Sequence, residues 1–93
     1  MVRISLADKL LERFGDLPEH QADYLLAYDF HGVRIPTSFY SNLGSVLKKF
    51  RHEEVGRSLL RLHSSGAVEI IASLVRHYHG EVRAFEVKEE IMV

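Results

Sequence analysis

The stretch LLRLHSSGAVEI, Leu59 to Ile70, limits what this chain can fold into more than any other, because its hydrophobic spacing changes midway. Leu59 and Leu62 stand three apart, as on one face of a helix. Ser64-Ser65-Gly66 interrupts, and Val68, Ile70 and Ile71 then supply β-branched side chains, which favour a strand. The spacing predicts a helix that stops at Gly66 in a left-handed turn, followed at once by a strand from Val68.

The rest of the chain is well punctuated. Ser5 caps a predicted helix to Phe14, with Asp8 three residues on, Gly15 as the stop, and Leu6, Leu10, Leu11 and Phe14 on one face. Asp16 caps a second, with Pro18 in its first turn, Glu19 completing a box-like pattern, and Ala22, Leu25, Leu26 and Phe30 as its apolar positions before Gly32. Val33 to Pro36 is short, β-branched and closed by proline, as an edge strand is. Thr37 or Ser38 then caps a third helix with Phe39, Leu43, Val46, Leu47 and Phe50 at amphipathic spacing. A fourth carries Val55, Leu59 and Leu62. No glycine or proline separates these last two, so one long helix containing Gly44 and Gly56 is the alternative.

Val68 to Tyr78 fits two periods. Val68, Ile70, Ala72 and Leu74 alternate as in a strand, whereas Ile70, Ile71, Leu74, Val75 and Tyr78 suit a helix. The β-branched content and the turn His79-Gly80 before EVRAFEVKE favour a hairpin. In that pairing Leu74 faces Phe85 and Ala72 faces Val87.

A chain of 93 residues supports one domain. With no cysteine, disulfides and thiolate metal sites are excluded, and a reducing, cytoplasmic setting is expected. No apolar run approaches the roughly 20 residues of a membrane span. The charged amphipathic start is not expected to act as a secretory signal. Net charge is −1, but unevenly spread: residues 1–32 carry three basic and six acidic groups, 33–65 six and two, 66–93 three and five. Positive charge therefore gathers in the middle third.

With the order helix, helix, short strand, helix, helix, hairpin, residues 20–91 resemble the winged helix-turn-helix family. Leu59, Leu62, Gly66 and Val68 carry the resemblance, as the end of a recognition helix and the start of a wing. It implies an α+β fold: a winged helix over residues 16–93, with residues 1–15 an extra N-terminal helix. Glu53 and Glu54, at the start of that helix, and the lack of a small residue in the turn before it depart from the family pattern.

The resemblance implies a double-stranded DNA-binding protein, a small transcriptional regulator. The helix near 53–64 would enter the major groove and the 68–91 hairpin would ride the backbone. With Val55, Leu59 and Leu62 on the core side, Arg57, Ser58 and Arg61 lie exposed for base edges and phosphates. Lys48, Lys49 and Arg51 would contact phosphates, as would Arg76, His77, His79 and Arg83 around the wing tip. A solvated basic face is the plainer alternative. The stripe Leu6, Leu10, Leu11 and Phe14 suits a homodimer contact, or packing on its own domain. A protein-interaction module within a larger complex is the competing function, favoured by the acidic first third.

Other chemistry is not expected. His77 and His79 share a predicted strand face, but no third ligand is near in sequence, so no metal or other cofactor is anticipated. His20, His31, His52 and His63 form no pattern in the sequence. No catalytic motif or small-molecule pocket is evident, and the chain is not read as an enzyme.

Overall fold

The computed structural model describes residues 5–14, 21–32 and 34–88. In chain order the elements are α1 (Leu6–Phe14), β1 (Gln21–Asp29), α2 (Thr37–Leu47), β2 (His52–Gly56), β3 (Leu59–Ser64), α3 (Ser65–His77) and β4 (Glu81–Val87). The strands form one antiparallel sheet in the order β2-β3-β1-β4. β1 and β3 therefore hold the centre. Each helix crossover, through α2 or α3, joins two parallel strands with a third inserted between them. These are two interleaved split βαβ units, the ferredoxin-like arrangement, preceded by α1.

The fold is α+β, as expected, but its element order departs from a winged helix. The segment read as a second helix is β1. Its leucines and alanines suit a helix, but Tyr24, Leu26 and Tyr28 alternate into the core. The pleat turns Asp23, Leu25 and Ala27 to the opposite face. The Asp16–Pro18–Glu19 cap lies outside the described residues, as does Val33; Arg34 to Pro36 form no strand.

The expected recognition helix at 53–64 is the β2–β3 hairpin. Leu60, Leu62 and Ser64 are buried at a period of two, while Arg61 and His63 face the other way. The three-residue interval between Leu59 and Leu62 is thus accidental. Arg57 and Ser58 form the turn, with Ser58 at φ 60°.

The segment expected as the first strand of the wing is α3. Ser64-Ser65-Gly66 begins this helix rather than ending another. Ser64 is extended (φ −143°, ψ 147°), and its Oγ accepts the Ala67 N–H at 3.1 Å. Gly66 lies inside the first turn; among described glycines only Gly32 has positive φ. Every second β-branched residue would suit a strand, but Ile70, Ile71, Leu74 and Val75 are all buried, which only the helical period allows. β4 was read correctly as a strand, but its partner is β1, with Phe85 opposite Leu25 and Val87 opposite Asp23.

α1 keeps its expected place, and α2 lies where a helix was expected, but its cap is Pro36, with no side-chain hydrogen bond, rather than Thr37 or Ser38, and it ends at Leu47, before Phe50. The Asp8 N–H donates to Ser5 Oγ at 3.1 Å, a first-turn cap. α1 lies against α2 and α3. Leu10 is buried there, and Leu6, Leu11 and Phe14 pack against the same core, so the stripe considered for dimerisation has a partner within its own domain. Phe39 of α2 sits at the centre, with the rings of Phe30, Tyr28 and Tyr78 at 4.9, 5.4 and 5.7 Å. The helices thus cover one face of the sheet. The other face carries Asp23, Leu25 and Ala27 of β1, Arg61 and His63 of β3, and Arg83 and Phe85 of β4.

Candidate functional site

Chain topology brings charged groups together at one end of the sheet. The N-terminus of β1, the C-terminus of β3 and the start of β2 meet there, since Gln21 pairs with Ser64 and His52 with Leu62. The loop from α2 into β2 arrives at the same corner. So does the N-terminus of α3, whose cap residue Ser64 is also the last residue of β3.

Asp23 is the hub. Arg61 Nη2 donates to its Oδ2 at 3.0 Å, and His63 Nδ1 to its Oδ1 at 2.8 Å. Arg61 and then His63 hold the Asp23 carboxyl below its ordinary value, outweighing a smaller opposing effect of desolvation. The contacts are partly shielded: the side chains of Arg61, His63 and Asp23 are 21, 29 and 40 % exposed. An ionised carboxylate only accepts, so Nδ1 of His63 carries the hydrogen in this pair. Neutral His63 then keeps its lone pair on Nε2. Glu53 stands opposite Arg61 across the β2–β3 ladder.

Two shallow depressions adjoin at this corner. One, of about 580 Å³, is lined by Asp23, Arg51, His52, Glu53, Arg61 and His63. The other is lined by Gln21, Lys49, Phe50, Arg51, His63 and Ser64. Arg51 and His63 belong to both walls. Lys48 and Lys49 are exposed and precede Arg51, with Phe50 between. The corner therefore sets Lys49, Arg51 and Arg61 and the positive end of α3 against the carboxylates of Asp23 and Glu53, and the cations on the Lys49–Arg51 side favour anions.

The expected DNA-contact residues divide between the two ends of the sheet. Lys48, Lys49, Arg51 and Arg61 share this corner. Arg57 and Ser58 sit in the turn at the far end of the hairpin. Arg76 and His77 are in the last turn of α3, His79 follows it, and Arg83 is on β4 opposite Ala27, all towards that far end. His77 and His79 do not share a strand face; His79 occupies a left-handed turn (φ 66°). There too, His31 bridges Asp29 and Glu81, with Nδ1 3.2 Å from Asp29 and Nε2 2.7 Å from Glu81.

Asp23 and His63 escaped sequence reasoning. They are 40 residues apart and meet only because β1 and β3 pair. One local signal existed: Arg61-x-His63 places both side chains on one face if the segment is a strand. Comparison with protein families, curated proteins and solved structures found no match.

Proposed function

We propose that this domain binds nucleic acid by its phosphates at the corner where the α2–β2 loop meets the ends of β1 and β3. One observation carries the reading: Lys49, Arg51 and Arg61 line two adjoining depressions beside the N-terminus of α3, with Asp23 and Glu53 as the acidic members of the same lining. Cations clustered on one surface are the electrostatic footprint of phosphate binding. Duplex DNA, the ligand expected from the sequence, would be held through its backbone. The β2–β3 hairpin and the loop before it would lie against the strand in place of a recognition helix. A regulatory role in transcription would then rest on shape and phosphate spacing more than on base edges.

The test is a binding titration of labelled duplex DNA and single-stranded RNA over a range of salt. If three cations meet phosphates, the slope of log affinity against log salt is about −2 to −3. Replacing Lys48, Lys49 and Arg51 with alanine flattens it.

A protein-contact surface is the second reading, favoured by Phe85. Its side chain is 56 % exposed on the open face of the sheet, beside its register partner Leu25. Phe85→Ala would weaken such a contact and leave nucleic-acid binding intact.

A further inference from the structure

We infer that His63 is a general base for cleaving RNA, by activating a ribose 2′-hydroxyl against the adjacent phosphodiester. The inference rests on the nucleic-acid reading above and deepens it at the same corner. It reverses the sequence-based expectation of no catalysis, because the required pair is assembled only by strand pairing.

Three features converge. First, Asp23 accepts the Nδ1–H of His63 at 2.8 Å, which leaves Nε2 as the proton acceptor and restrains the ring. Second, Arg61 holds the other oxygen of Asp23 at 3.0 Å, so the carboxylate is itself fixed. Asp23 and Arg61 are thus positioning residues. Third, His63 and Arg51 line both depressions, so a strand crossing from Lys49 towards Arg61 would pass a cation and the imidazole in the same surface. Arg51 is the group suited to the charge that grows on the phosphoryl oxygens in the transition state.

The step balances without a further reactant. The 2′-hydroxyl proton passes to Nε2 of His63 as the O2′–P bond forms. The P–O5′ bond breaks, and the departing 5′-oxygen takes a proton from water, which the open corner admits. His63 then returns its proton to solvent. The products are a 2′,3′-cyclic phosphate and a 5′-hydroxyl end. DNA, lacking the 2′-hydroxyl, is bound but not cut.

The full chain is incubated in excess over an unstructured RNA oligonucleotide, or its all-deoxy counterpart, in EDTA. Cleavage is followed by end-group analysis, and binding is measured in parallel. The expected result is RNA fragments ending in cyclic phosphate, intact DNA, and salt-sensitive binding of both. His63→Gln should slow the single-turnover rate by about 10²–10⁴-fold while affinity stays nearly the same. Asp23→Asn should lower the rate and not the affinity, the split that separates positioning from binding; melting curves confirm that both variants are folded. RNA that is bound yet uncut, or cut at the parental rate by folded His63→Gln, overturns the inference and leaves the binding proposal standing. RNA and DNA that are not bound at all overturn both.

Discussion

Asn42, midway along α2, accepts the backbone N–H of Ala7 in the first turn of α1 at 3.0 Å through its Oδ1. First-turn helix N–H groups have no partner within their own helix. Asn42 supplies one from a residue 35 positions away. Its Nδ2 donates to Ser38 O at 2.9 Å and to the Tyr78 hydroxyl at 3.1 Å, so one amide ties all three helices together.

Asn42→Ala should therefore destabilise the domain by about 1–3 kcal/mol, since it strands a shielded donor as well as removing its acceptor. Hydrogen exchange in α1 should accelerate more than exchange in β1. Equal acceleration in both would mean that the amide does not dock α1 specifically. Because Ala7 and Leu10 are buried, deleting residues 1–14 should lower the stability of what remains.

Two glycines should respond oppositely to alanine. A Cβ at Gly80 would lie 2.7 Å from Cε1 of Phe30 and 2.8 Å from Cγ1 of Val75. Gly80→Ala should cost about 1–3 kcal/mol through overpacking. At Gly44, inside α2, a Cβ meets nothing within 4 Å. Gly44→Ala should add up to about 1 kcal/mol by helix propensity. Denaturant unfolding of both variants reads this directly; the same sign for both contradicts the packing described.

The bridge from β1 to β4 at His31 should depend on pH. Glu81, then Asp29, raises the His31 pKa above its ordinary value of 6.5 by favouring the imidazolium. A raised folded-state pKa means that this contribution to stability is fully present below 6.5 and is lost as pH rises through the folded value. An NMR titration of the imidazole should show the raised value, and Glu81→Gln should lower it. No change in the variant would place the cause elsewhere.

Asp23 should behave in the opposite sense. Its pKa is depressed, so its contribution is present above 3.8 and is lost as pH falls through the folded value. Arg61→Ala removes the largest cause and should raise the carboxyl pKa, as read by carboxyl chemical shifts.

Legibility in the sequence followed the range of the interactions. α1 and α2 could be read because Ser5 and the Phe39–Leu43–Val46 spacing are local signals, although the cap of α2 falls on Pro36 and not on Thr37 or Ser38. β4 could be read because Phe85 and Val87 alternate with charges. β1 could not: Ala22, Leu25 and Leu26 have helical preferences, and sheet pairing overrides them. Ser64 was correctly seen as a boundary, but its sense was reversed. A serine followed by a small residue can end one element or cap the next, and burial of Ile70, Ile71, Leu74 and Val75 decides between them. The basic character of Lys48, Lys49, Arg51 and Arg61 was legible as a charge excess. Its joining to Asp23 and His63 was not, because that requires the strand order.

The nucleic-acid reading is tested most directly by the salt dependence of binding for the parent and the Lys48→Ala/Lys49→Ala/Arg51→Ala variant. Parental affinity for RNA or duplex DNA should fall with salt at a slope of about −2 to −3, and the variant, which keeps Arg61, should bind weakly with a slope no steeper than about −1. The Arg57→Ala/Arg76→Ala variant, altered at the far end of the sheet, should follow the parent. Binding that is insensitive to salt, or that is lost equally in both variants, would contradict a phosphate site at this corner.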